Sequence, residues 1–124
     1  MVNIHTVAVI GSGTMGAGIA EVAASHGHPV LVYDIDAAAI SRAVDGIRQR
    51  LSSRVARGKL SADAGEQILA RLTPVTNISA LAKADLVIEA ASERLEVKKA
   101  LFTQLAEVCP PQTLLASNTS SISV

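Results

Sequence analysis

The stretch from Thr6 to Asp34, TVAVIGSGTMGAGIAEVAASHGHPVLVYD, restricts the fold more than any other part of the chain. Val7-Ala8-Val9-Ile10 is a short apolar run rich in β-branched residues, the pattern of a strand buried on both faces. Gly11, Gly13 and Gly16 follow in the spacing G-x-G-x-x-G. From Met15 the apolar period turns helical, and Met15, Ile19 and Val22, with Ala20 and Ala23 beside them, form the expected stripe. Gly27 ends this helix, Pro29 prevents its return, and a second strand, Val30 to Tyr33, runs into Asp34.

Each residue type in this stretch meets a physical demand. Gly11 permits a tight strand-to-helix turn, Gly13 lets a pyrophosphate approach the backbone, and Gly16 lets the helix pack closely on the strands. The loop Gly11-Ser12-Gly13-Thr14-Met15-Gly16 then offers the unpaired amides of a helix's first turn, and its dipole, to an anion. Asp34 lies eighteen residues after Gly16, close to the spacing that sets a carboxylate on the ribose hydroxyls of a dinucleotide. Ile35 follows it, with no Arg or Lys nearby to receive a 2′-phosphate, which favours NAD over NADP. A glycine spacing alone would fit a tight turn in many α/β proteins. Strand, glycines, helix and acidic strand end together are far more specific.

The remaining chain continues the alternation. Asp36 is placed to cap a long one-sided helix carrying Ile40, Val44, Ile47, Leu51 and Val55, closed by Gly58. Ser61 caps another, with Asp63 in its first turn and Ile68, Leu69 and Leu72 as its apolar side. Leu72 to Val75 reads as a brief extended piece, Ile78 to Ala84 as a short helical or loop connection, and Asp85 to Glu89 as a buried strand. A helix from Glu93 presents Val97, Leu101, Leu105 and Val108, Pro110-Pro111 stops it, and Thr113 to Ser117 is the last strand. Strands alternating with helices predict an α/β fold, a Rossmann-type doubly wound parallel sheet with right-handed crossovers. The excursion from Ala37 to Leu72 is too long for a plain crossover and predicts a projecting helical pair.

At 124 residues the chain is one domain at most, 1–124. Apolar residues make up 49% and aromatics 2%, so the core must be built from Ala, Val, Ile and Leu. Eleven basic and eleven acidic residues balance, which gives no argument for nucleic acid or a membrane surface as partner. Cys109 is the only cysteine, expected as a small buried hydrophobe, and no metal is expected. No signal-peptide pattern and no run of about 18 apolar residues is present, so a reducing, cytoplasmic setting is expected.

Ligands of an open parallel sheet bind beyond the carboxyl ends of its strands. Those ends are the Gly11–Gly16 loop, Asp34, the Glu89–Glu93 region and Ser117-Asn118-Thr119-Ser120-Ser121. The composition of that last group suits an ordinary polar loop as well as a binding site. His5, His26 and His28 all precede strands and belong at the opposite edge, where none can serve as general base; His26 instead suits the end of its helix dipole. Arg42, Arg48, Arg50, Arg54, Arg57 and Lys59 face a single acid, Asp45, along the long helix. A solvated face is the plain reading, and a dock for a phosphate-bearing substrate handle the sharper one.

IGSGTMGAGIA (Ile10–Ala20), DLVIEA (Asp85–Ala90), the Glu93 and Lys98 pair in ERLEVK, and SNTSS (Ser117–Ser121) together resemble the 3-hydroxyacyl-CoA dehydrogenase family, over essentially the whole chain. The resemblance implies oxidation of the 3-hydroxyl of an acyl-CoA, such as 3-hydroxyadipyl-CoA or 3-hydroxybutyryl-CoA, with hydride passing to NAD. It implies that Gly11, Ser12, Gly13, Thr14, Met15 and Gly16 hold the pyrophosphate and Asp34 the adenosine ribose. Glu93 and Lys98 would meet the nicotinamide half, with Ala91 and Ser92 on the same wall. Asn118 would sit beside the nicotinamide and Ser120 would hydrogen-bond the substrate's reacting oxygen. Arg57 and Lys59 are the candidates for the CoA.

Members of that family continue with a G-L-H-F-F-N-P segment bearing the catalytic His, then its Glu partner and a helical domain that dimerises, and these 124 residues contain none of them. The expectation is therefore the incomplete, cofactor-binding portion of a longer homodimeric enzyme, inactive alone, with a sheet edge and apolar surface left uncovered. Two other readings compete. A relative of the 3-hydroxyisobutyrate or 6-phosphogluconate dehydrogenases would share the G-x-G-x-M-G opening, but the Glu93/Lys98 and SNTSS groups and the long helical excursion argue against it. A non-catalytic nucleotide-sensing module is compatible with the missing base.

Overall fold

The computed structural model describes residues 4–90 and 95–117. In chain order the elements are β1 (Val7–Ile10), α1 (Thr14–Ser25), β2 (Val30–Tyr33), α2 (Ala37–Ala56), α3 (Ala62–Ala70), β3 (Leu72–Val75), a 3-10 helix (Ile78–Lys83), β4 (Leu86–Glu89), α4 (Leu95–Val108) and β5 (Leu114–Ser117). The five strands are all parallel in the order β3-β2-β1-β4-β5. The chain therefore winds outward from β1 through β2 to β3, returns to the far side of β1, and winds out again through β4. Its direction reverses between β1 and β4, and a ligand crevice belongs beyond the carboxyl ends of those two strands.

The sheet separates two apolar layers. Val7, Val9, Val30 and Val32 face α1, α2 and α3 and pack with Ala17, Ala20, Ala24, Ile40, Ala43, Ile47, Leu51, Ile68 and Leu72. On the other face Ala8, Ile10 and Val87 pack with Leu81, Ala84 and Leu105. Each large aliphatic side chain fully withdrawn here, such as Ile47 or Leu105, contributes about 1.5–3 kcal/mol. Pro74 stands in β3, an edge strand, where its missing N–H costs the sheet little. Cys109 is half-buried against the second layer and its thiol donates to the Leu81 carbonyl at 3.6 Å.

The capping expectations hold in detail. Asp36 accepts from the Ala38 amide at 3.0 Å, Ser61 accepts from the Ala64 amide at 3.1 Å, and Gly27 and Gly58 end their helices at φ 94° and 73°. The helical pair is present, but α2 and α3 are anchored on the sheet through Ile40, Ala43, Ile47, Leu51 and Ile68. Twenty residues make α2 about 30 Å long against about 13 Å for a four-residue strand, so the helix is longer than the strands it packs on.

The stripe expected on α1 is half right: Ala20 is buried and Ile19 and Ala23 pack against the core, but Met15 and Val22 do not. Its buried residues are Gly16, Ala17, Ala20 and Ala24, whereas Met15 is 54% and Val22 59% exposed. Small residues are what a closely seated helix can place against a strand, so the larger ones are displaced to its flank. There Met15, Ile19 and Val22, with Ile4, Leu86 and Ile88, line an apolar groove of about 760 Å³. Beyond it lies the β5 edge, where Leu114 and Leu115 are 42% and 38% exposed.

Gly18 also faces this groove, and a Cβ built there meets nothing within 4 Å. Glycine inside a helix costs about 0.5–1 kcal/mol relative to alanine. Gly18→Ala is therefore expected to raise the melting temperature by a few degrees, measured by far-UV circular dichroism. A fall would mean that the helix interior at this point is not as open as the geometry requires.

Candidate functional site

Gly11, at φ 95°, turns the chain out of β1, and its amide donates to the Tyr33 carbonyl at 2.9 Å. The turn delivers Gly16 so close to the loop that a Cβ on it would lie 1.7 Å from the Gly11 oxygen. Gly13 is the N-cap of α1 at φ −68°, a conformation open to any residue, and a Cβ there would meet no protein atom within 4 Å. Nothing within the described protein thus demands glycine at position 13. Helix α1 has no side-chain cap and no acid in its first turn, and its first backbone bond is Ala17 to Gly13 at 2.8 Å. The amides preceding Ala17 therefore lack helical acceptors, and the positive end of the dipole faces the space above Gly13. An uncapped helix start and a glycine with open space over it fit a pyrophosphate.

Asp34 stands at the end of β2, level with this loop. One carboxylate oxygen accepts from the Ser12 amide at 2.8 Å and the Ser12 hydroxyl at 2.9 Å; the other accepts from the Asp36 amide at 2.9 Å. Burial alone would push its carboxyl up, but the Asp36 amide, the two Ser12 donors and the Arg42 charge hold it below the ordinary carboxylate value. Ser12 is 6% exposed and its hydroxyl is spent on Asp34. Its side chain therefore orients the carboxylate, while its neighbours' amides remain for a ligand.

Because folding lowers this carboxyl, the folded chain takes up a proton less readily than the unfolded one. The stabilisation is complete above the unfolded value of about 3.9 and disappears as pH falls through the lower folded value. Asp85 acts in the same direction, lowered by the amides of Thr6 and His5, which donate to it at 2.9 and 3.0 Å. Melting temperature is accordingly expected to fall steeply below about pH 4, and less steeply in Asp34→Asn. Parallel acid limbs in the two proteins would refute a lowered Asp34.

Arg42, expected only as one of the basic residues along the long helix, stands beside the β2 end. No local signal joins it to Asp34, but the first turns of α2 carry it back so that Nη2 lies 3.6 Å from Asp36. With Ser12, Gly13, Thr14, Ala17, Ala39, Ala43, Gly46 and Arg50 it lines a pocket of about 260 Å³ beside the glycine loop. A cation therefore does lie near the β2 end, contrary to what the residues following Asp34 suggest. Other cations of α2 are engaged elsewhere: Arg48 pairs with Asp45 at 2.9 Å, and Arg50 with Glu21 of α1 at 2.7 Å. Arg54, Arg57 and Lys59 pair with no carboxylate among the described residues; Arg57 reaches only the Ser53 carbonyl, at 3.4 Å.

Glu89 ends β4 fully buried, in register with Ile10 and Ser117, so β1, β4 and β5 finish on one edge. Ala91, Ser92, Glu93, Asn118 and Ser120 lie outside the described residues, and of Lys98 only its place in α4 is described. Met15 lies in the first turn of α1 beside the loop, with its side chain on the apolar groove. The histidines are at the amino-terminal edge as expected. His26 donates through Nδ1 to the Val22 carbonyl at 2.8 Å, and His28 through Nδ1 to the His5 carbonyl at 2.9 Å. Among the described residues no three His, Cys, Asp or Glu side chains gather as metal ligands, and no helix is long and apolar enough to cross a membrane.

A parallel sheet reversing beside a glycine loop, an uncapped helix and an acidic second strand end defines a dinucleotide-binding α/β domain. More particularly, the chain belongs to the 3-hydroxyacyl-CoA dehydrogenases: the family described as "3-hydroxyacyl-CoA dehydrogenase, NAD binding domain" matches residues 6–124, and the cofactor is NAD. The 3-hydroxyadipyl-CoA dehydrogenase of Escherichia coli K12 is 77% identical over 124 residues, all of this chain and 26% of that protein. A crystal structure of 3-hydroxybutyryl-CoA dehydrogenase from Escherichia coli K12 superposes with a TM-score of 0.96 at 77% identity, over 98% of this chain and 26% of that one. The (S)-3-hydroxybutyryl-CoA dehydrogenase of Ralstonia eutropha gives 0.94 at 36% identity, over 98% and 43%. The chain thus spans between about a quarter and two-fifths of the length of these relatives.

Proposed function

We propose that the chain is the NAD-binding part of an enzyme that oxidises the 3-hydroxyl of an acyl-CoA to the ketone. The observation carrying this reading is Gly13: glycine stands where the protein's own packing has no use for it, over an uncapped helix start and beside an oriented carboxylate. NAD, when bound, supplies the hydride acceptor. The chain's own residues bind and orient it. Amides of residues 13–16 receive the diphosphate and Asp34 the adenosine ribose, while Ala91, Ser92, Glu93, Lys98 and Asn118 border the nicotinamide. Ser120 holds the substrate oxygen, in keeping with β5 ending beside β4. Arg57 and Lys59, at the end of α2 and without carboxylate partners among the described residues, meet the CoA phosphates.

The relatives' names differ over adipyl and butyryl chains, and a carboxylate-ended acyl group is the choice we favour for this protein. Cytoplasmic location and a homodimer formed through a further helical domain belong to the same proposal. His5, His26 and His28 lie on the edge opposite the site, so the 124 residues hold no described base to take the hydroxyl proton. Purified chain is accordingly expected to bind NADH but to form none from a 3-hydroxyacyl-CoA and NAD, followed by absorbance. Clear NADH formation would overturn the division of labour. Failure of NADH to bind would overturn the site, and acyl-CoA binding on top of NADH would set the enzyme reading above a bare nucleotide sensor.

A further inference from the structure

We propose that Arg42 is the residue on which the choice between NAD and NADP turns, a guanidinium held loosely by Asp36 that becomes a 2′-phosphate ligand once the Asp34 charge is removed. This rests on the placement of the adenosine ribose at Asp34. Arg42 is 70% exposed at its side chain, and its only ion pair among the described residues is the long one to Asp36, at 3.6 Å. It borders a pocket floored by Gly13, Ala17, Ala39, Ala43 and Gly46, all too small to fill it. The pocket opens beside Ser12, whose amide and hydroxyl both point at the Asp34 carboxylate, so it adjoins the place where a ribose 2′-oxygen on Asp34 would lie. Arg50, on the same rim, is held by Glu21 at 2.7 Å and is not free to take this part.

The charges then decide the outcome. With Asp34 ionised, a 2′-phosphate meets a carboxylate at close range, and Arg42 is paired at long range with Asp36. Removing the Asp34 charge leaves two Ser12 donors without their acceptor and Arg42 with one weak partner. A doubly charged phosphate suits all three, and a guanidinium is the better fork for it than an ammonium.

The test titrates NADH and NADPH, by their own fluorescence, into wild type, Asp34→Ser, Arg42→Ala and the double variant; the chain has no Trp to interfere. Melting curves confirm that each is folded. Asp34→Ser is expected to weaken NADH about tenfold and to tighten NADPH at least about tenfold, inverting the preference. Adding Arg42→Ala should abolish the NADPH gain and leave NADH within about twofold. Equal NADPH affinity in Asp34→Ser and the double variant would overturn the role of Arg42. A wild-type chain that binds neither nucleotide would instead remove the site on which the inference stands.

Discussion

Gly16→Ala is expected to melt at least about 10 °C below wild type, or not to fold, and to bind no NADH. The added Cβ would fall 1.7 Å from the Gly11 oxygen and 2.8 Å from its carbonyl carbon, and both are backbone atoms. Relief requires movement of the loop or the helix. The loop is held by the Gly11 amide on Tyr33 at 2.9 Å, and the helix by Ala17, Ala20 and Ala24 on the strands. Overpacking of this kind costs about 3 kcal/mol or more where neither side yields, a large share of a total stability of about 5–15 kcal/mol. Gly13→Ala is the informative contrast. No described protein atom lies within 4 Å of its Cβ, so its melting temperature should stay near wild type while NADH affinity falls about 10- to 100-fold. Two alanines three residues apart would thus separate a glycine needed by the fold from one needed by the ligand. Wild-type NADH affinity in Gly13→Ala would mean that no diphosphate approaches there.

Much of this is legible in the sequence, and what is not has a common cause. Strand β1, the glycine loop and the end of β2 could be read because each is specified by neighbours in sequence. The same holds for the caps at Asp36 and Ser61, whose oxygens reach amides two or three residues on. Met15 and Val22 of the expected α1 stripe turned out exposed because apolar periodicity weighs them above alanine, whereas contact with a strand at Gly16 distance selects alanine. Hydrophobicity identified apolar residues and steric distance decided which went inside. Ser12 and Asp34 are 22 residues apart and Arg50 and Glu21 are 29, separations at which composition carries no pairing information. Arg42 fell in the same blind spot: helix α2 brings it back toward the β2 end, and only the fold makes them neighbours. The expected roles of Ala91, Ser92, Glu93, Asn118 and Ser120 fall outside the described residues and stay with the proposal.

Asp34→Ala is expected to weaken NADH about 100-fold while the chain remains folded. Of the carboxylate's about four accepting positions, one is left after its bonds to the Ser12 amide, the Ser12 hydroxyl and the Asp36 amide, and a ribose hydroxyl would fill it with a charge-assisted bond worth about 1.5–3 kcal/mol. A second loss adds to the first, because Ser12, 6% exposed, loses the acceptor for its amide and hydroxyl. Leaving such donors unmet costs about 1–3 kcal/mol, which lowers the melting temperature but by less than the Gly16 change. Ser12→Ala separates the two contributions. It removes one bond to Asp34 and leaves the carboxylate present, so NADH should weaken only several-fold. If Asp34→Ala binds NADH as wild type does, the carboxylate serves the loop alone and the ribose lies elsewhere. If Ser12→Ala proves as damaging as Asp34→Ala, the hydroxyl meets the nucleotide directly instead of orienting Asp34.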